Sequence, residues 1–173
     1  MNNSDVFFEQ IVQIKKTGKA FAGIIGIWLL AFVLIAFLLL TFILGPFTII
    51  LCCGLGYGAF WLSSKLNVEF EYIITNGTLD IDKIINKSSR KRILSLELSQ
   101  VTRLEKYNPA AVTNINEKEI VFACNRQDED AYFITAERTG KKSANLVFAP
   151  NVKLQSAIEK FAPKFLTHNV FKK

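Results

Sequence analysis

The chain has 173 residues, half of them hydrophobic and 21% charged, which leaves room for a membrane segment and one small domain of roughly a hundred residues. The formal net charge is +6, of which residues 1–19 supply +1 and residues 65–173 the rest. No nucleic-acid motif accompanies that charge, so anionic lipid is the expected attraction and nucleic acid is set aside; three cysteines, two of them adjacent, and one histidine, His168, exclude a disulfide framework and a Cys/His metal set.

Residues 4–16 are predicted to form a short amphipathic helix, capped by Ser4 or Asp5, with Phe7, Ile11 and Ile14 on one face and Phe8 and Val12 widening it. Lys15, Lys16 and Lys19 follow directly, which suits a helix lying in the headgroup region; a frayed extension of the next helix is the alternative. The acids in this segment and the length of the apolar run behind it argue against a cleavable signal peptide.

Ala20 to Ser64 contains no Asp, Glu, Lys, Arg or His. Two transmembrane helices are predicted, 20–44 and 47–63, with Gly45-Pro46 breaking the run between them. So short a turn makes the helices antiparallel, a hairpin rather than one long bent helix. Gly54, Gly56 and Gly58, read as a spacing of two rather than a dimer signature, are expected to let the first helix come close. Trp61 suits the interfacial belt, and Lys65 with Lys15, Lys16 and Lys19 flanks the ends while the turn is uncharged. The positive-inside bias therefore places both termini in the cytoplasm, with a cytoplasmic domain over 66–166 and a tail over 167–173. Cys52, Cys53 and Cys124 read as small apolar filling.

From Val68 the hydrophobic period changes to two. Phe70, Tyr72 and Ile74 alternate with Glu69 and Glu71, Asn76-Gly77 marks a tight hairpin, and Leu79 and Ile81 then alternate with Asp80 and Asp82. Further strands are expected at 92–98, 101–107, 119–124, 131–138 and 142–148, the last two paired around Thr139-Gly140. Asn151 then caps a helix over 151–162 carrying Leu154, Ala157, Ile158 and Phe161 on one face, and Pro163 ends it. The expected fold is a membrane helical hairpin followed by a small α+β domain: seven antiparallel strands in a barrel or sandwich, closed by one C-terminal helix.

Seven strands and a closing helix, with Tyr72-Ile73-Ile74-Thr75, Leu79-Asp80-Ile81 and Arg90-Lys91-Arg92-Ile93, resemble bacterial pleckstrin-homology-like domains. More widely, Glu9-Gln10-Ile11-Val12, Lys15 to Lys19, Glu71 to Gly77, Leu79 to Ile84 and Val147 to Asn151 resemble an uncharacterised family of small bacterial two-helix membrane proteins. That resemblance implies the hairpin-plus-domain arrangement and brings no activity with it.

The segment 86–91 is read as a polar loop returning toward the membrane, so Lys87, Arg90, Lys91 and Arg92 are the candidate contacts for lipid headgroups. Asp80, Asp82, Glu69 and Glu71 are read as a solvated strand surface rather than an acid/base pair or metal site, and Arg126 to Asp130 as a polar hairpin loop. No nucleophile elbow, phosphate loop or zinc pattern is visible, so no catalytic residue, metal or cofactor is expected. The leading expectation is a non-catalytic module, anchored in the cell membrane, that presents its domain at the inner leaflet to a protein partner through an unpaired strand edge. A lipid sensor using residues 87–92 is the alternative, and an enzyme acting on a membrane substrate is the remote one.

Overall fold

The computed structural model describes residues 6–15, 18–41, 44–112, 115–125, 128–138, 140–168 and 170–171. The chain forms two units: a β-rich unit of residues 1–14, 69–84 and 89–173, and a helical unit of residues 15–68 with 85–88.

The helical unit contains α1 (Gly18–Thr41) and α2 (Phe47–Ser64), both long and apolar enough to cross a membrane, α1 being the more apolar. At ~1.5 Å per residue they span about 36 Å and about 27 Å. Gly45 adopts a left-handed φ of 52°, and Pro46 caps α2, so the break falls where proline requires it. The first helix is shifted from the predicted 20–44; Phe42 and Ile43 lie outside the described residues. The two helices pack on each other, and the small residues Ala31 and Ala59 are buried. A correction applies to the glycines. Gly54 and Gly58 stand four apart, the GxxxG spacing, yet a Cβ built on Gly54, Gly56 or Gly58 would meet nothing within 4 Å. The glycines therefore do not mark a close approach of α1.

Past α2 the chain turns back on itself locally. Asn86 and Lys87 both have positive φ, 52° and 55°, as the centre of a type I′ turn requires, and Ser88 N–H donates to Ile85 O at 3.2 Å. Asn86 N–H also donates to Asn67 O at 2.9 Å, tying this turn to the exit of α2.

The β-rich unit differs from the expected seven antiparallel strands. Among the described residues, eight strands form two four-stranded sheets that do not close into a barrel. The first sheet runs β1 (Phe7–Gln13), β2 (Val68–Thr75), β3 (Thr78–Ile85), β4 (Ser89–Glu97) in that order. The second contains β5 (Val101–Lys106), β6 (Ile120–Phe122), β7 (Tyr132–Arg138) and β8 (Lys141–Phe148) in the order β5-β7-β8-β6. The short β6 lies parallel to β8, so residues 126–130 do not close a hairpin; Arg126 and Gln127 themselves lie outside the described residues, as does Thr139 of the β7–β8 turn.

The extra strand is β1, where a helix was expected. It pairs antiparallel with β2 from Phe7↔Thr75 to Gln13↔Glu69, and Gln10 fixes it further: its Nε2 donates to Ala149 O at 2.9 Å and its Oε1 accepts from Asn151 N–H at 2.8 Å. An isolated amphipathic turn has little stability of its own, whereas the open edge of β2 offers seven residues of ladder.

Between the sheets lies a core built on Tyr72, Phe133, Phe148, Leu79, Ile81, Leu98, Ile134 and Leu146. The alternation in β2 and β3 explains it, because Phe70, Tyr72, Ile74, Leu79 and Ile81 all turn to the same side. Helix α3 (Val152–Phe161), capped by the Asn151 side chain on Leu154 N–H at 2.9 Å, adds Leu154, Ala157 and Ile158. A second C-terminal helix, α4 (Lys164–Thr167), restarts after Pro163, so the single predicted helix is two.

The Asn76-Gly77 turn has both residues at positive φ, 49° and 94°, and a Cβ on Gly77 would sit 3.1 Å from Phe161 Cδ1 of α3. Gly77→Ala is therefore expected to cost more than about 1 kcal/mol, from left-handed strain and a displaced Phe161 together. Gly140→Ala, at φ 70° with nothing within 4 Å, should cost less. Paired thermal melts check the difference.

Candidate functional site

Outward-pointing residues of the first sheet bring together most of the ionisable groups singled out in the sequence. β1 contributes Glu9, β2 contributes Glu69 and Glu71, and β3 contributes Asp80 and Asp82. Two of the four acids expected on a solvated surface, Glu69, Glu71, Asp80 and Asp82, depart from it. Glu71 is completely buried and Asp82 nearly so.

Arginines from β4 cover them. Arg90 Nη2 donates to Glu71 Oε1 at 3.0 Å, while Arg92 reaches Asp82 Oδ1 through Nε at 2.9 Å and Asp80 Oδ2 through Nη1 at 2.7 Å. Both arginine side chains stay about half exposed, at 55% and 52%. They cap the carboxylates as half-wet lids, with apolar stems along the sheet and charge at the rim. The hydrogen bond with Asp82 raises the Arg92 pKa above its usual value. Glu71 is pushed up from the usual carboxylate range by burial first, then by its hydrogen bond with Glu9, and Arg90 opposes the shift.

The predicted basic loop is thus split. Strand β4 begins at Ser89, so Arg90, Lys91 and Arg92 are strand residues and only Lys87 lies in the turn. Lys87 belongs to the helical unit and Lys91 is exposed; among the described residues neither takes part in an ion pair. If Arg92 neutralises two carboxylates, Arg92→Met should destabilise the β-rich unit, because it strands Asp80 and Asp82 against the sheet. Adding Asp80→Asn and Asp82→Asn should then recover most of the loss in a denaturation series, as a coupled triad does and independent sites do not.

At the interface positions, Lys65 Nζ lies 3.2 Å from the Trp61 ring centroid, a cation–π contact one helical turn apart at the end of α2. Lys15 and Lys19 lie at the entrance to α1, and Lys16 falls outside the described residues.

Two further features complete the site. Among the described residues, strand β1 is an edge strand whose outer face exposes Phe7 and Ile11, 58% and 52% accessible, beside a row of backbone groups that no other strand pairs. A period-two alternation through Phe8, Gln10 and Val12 was the available signal. Cys124 is buried, and burial pushes its thiol up to about 12. It is expected to resist a thiol reagent until the domain unfolds, which alkylation followed by mass spectrometry checks directly. Among the described residues no group of three His, Cys, Asp or Glu side chains is arranged to hold a metal ion.

A family model described as a bacterial PH-like domain (DUF6106) matches residues 4–168. No curated protein and no solved structure matches the chain.

Proposed function

The chain belongs to the bacterial PH-like domain family DUF6106, and we propose that it is a non-catalytic module, anchored by two membrane-crossing helices, that presents its domain at the inner leaflet to a protein partner. The anchor is supported by the two apolar helices, whose large side chains are mostly exposed in the isolated chain and require an apolar surrounding. The interaction role is carried by the free edge of β1, where Phe7 and Ile11 stand exposed along unpaired backbone groups, the arrangement to which a partner strand adds.

Arg90 and Arg92 favour this reading over lipid sensing, because their charge is already opposed by Glu71, Asp80 and Asp82. The lipid reading keeps one specific support. Lys87 sits in a turn hydrogen-bonded to the exit of α2, where each cation near an anionic leaflet contributes about 1 kcal/mol.

A photo-crosslinking side chain at position 11 of the full chain, in its native membrane, separates the two. A discrete protein adduct that is absent when the probe replaces exposed Phe165 supports the interaction role. Adducts to lipid alone, or none, count against it.

A further inference from the structure

Glu71 stands in the middle of β2 with no exposure to solvent. Its Oε1 accepts from Arg90, while Oε2 is sealed away and receives no N–H or O–H from the protein. The register sets Ile11 opposite Glu71 and Glu9 opposite Ile73, which makes Glu9 and Glu71 diagonal neighbours on one face of the sheet. Glu9 raises the Glu71 pKa both through a side-chain hydrogen bond and through its charge. Two ionised carboxylates repel and have no hydrogen to share, so that contact requires one proton between them.

We propose that a proton shared by Glu9 and Glu71 latches the N-terminal strand β1 onto the domain, so that losing it as the pH rises frees β1 and uncovers the edge of β2.

The surroundings of the pair agree with this. Asp82 on β3 adds negative charge that disfavours ionising Glu71, and Asp80 beside it is occupied by Arg92 of β4. Glu69 lies two residues away on β2 itself. Arg90 of β4 is the one charge acting the other way on Glu71, and it is half exposed, where solvent weakens its pull. Burial, the largest cause, lifts Glu71 above the usual carboxylate range. A carboxyl whose folded pKa is raised contributes its stability in full below the unfolded value and loses it as pH climbs through the folded value. The latch therefore holds on the acidic side and loosens on the alkaline side. It acts on β1 selectively, since among the described residues β1 is an edge strand, held by its ladder to β2, by the Val6–Asn76 contacts, by Gln10 and by its packing on α3.

Hydrogen exchange on the full chain in lipid nanodiscs tests this, with each amide corrected for its intrinsic rate and β8 serving as reference within the same molecule. From about pH 4 to about pH 8, protection of 7–13 relative to β8 should fall by about tenfold per pH unit across the window in which the proton leaves. Glu9→Gln supplies a permanent N–H donor to Glu71, so its β1 should stay protected throughout. Infrared spectroscopy gives the second readout: a protonated-carboxyl band should persist above the ~4.3 at which a free glutamate ionises, and vanish in Glu71→Gln. Wild-type β1 protection that tracks β8 at every pH, a Glu9→Gln variant that keeps the wild-type pH dependence, or a wild type without the band would each overturn the proposal.

Discussion

Replacing Tyr72 with Phe is expected to weaken the β-rich unit by about 1–3 kcal/mol although it removes a single oxygen. Tyr72 is fully buried, and its hydroxyl donates to Ala123 O at 2.7 Å and accepts from Ala149 N–H at 3.4 Å. One side chain on the first sheet thus satisfies backbone groups on two segments of the second, beside β6 and β8. Removing the oxygen leaves the Ala123 carbonyl buried without that donor, and an unmet buried acceptor costs more than a hydrogen bond contributes on average. The ring packs edge-on to Phe148 at 5.8 Å between centroids, so Tyr72→Ala should cost about 3–5 kcal/mol by adding a cavity. A denaturant series on the purified chain should show a lower midpoint at unchanged slope for Tyr72→Phe. A midpoint within about 0.5 kcal/mol of wild type would mean that the oxygen bridges nothing of consequence.

Leu55→Asp, in the middle of α2, should block insertion of the second helix, while the same charge at Ala31 in α1 should be tolerated more often. Exchanging a central Leu for Asp disfavours insertion by about 3–4 kcal/mol. α2 is the shorter and less apolar of the two and includes Gly54, Gly56, Gly58, Ser63 and Ser64, so it has less margin to lose. A glycosylation-site insertion assay reads the outcome. Equal insertion of α2 with and without the aspartate would contradict its role as a membrane span.

Some of this was legible in the residues for definite physical reasons. The alternation in β2 and β3 matches the pleat, and Asn76-Gly77 satisfies the positive φ that its turn demands, so those strands and their inward faces could be read directly. The uncharged run and Gly45-Pro46 likewise fixed two apolar helices and the break between them. β1 was misread because Phe7 and Ile11 are four apart, a spacing shared by one turn of helix and two repeats of a strand. Its decisive partners are β2 and Ala149–Asn151, some sixty to a hundred and forty residues away, and no local pattern carries them. The parallel β6–β8 pairing was hidden for the same reason.

The candidate site was half visible. Asp80 and Asp82 were correctly placed on the face opposite Leu79 and Ile81, but which side of a sheet a residue takes does not say what lies over it. Arg90, assigned to a loop, and Arg92, placed at the start of the next strand, both belong to β4 and cover the carboxylates beneath them. The shared Glu9–Glu71 contact depends on a register that only the pairing of β1 reveals.

The topology of the hairpin tests the proposed function most directly. With Cys52, Cys53 and Cys124 replaced, single cysteines would be placed near each terminus and at Gly45, then treated with a membrane-impermeant thiol reagent on intact cells. A membrane-anchored module that presents its domain to the cytoplasm predicts labelling at position 45 in intact cells, and labelling of either terminus only after permeabilisation. Labelling of a terminus in intact cells, or protection of position 45 there, would contradict it.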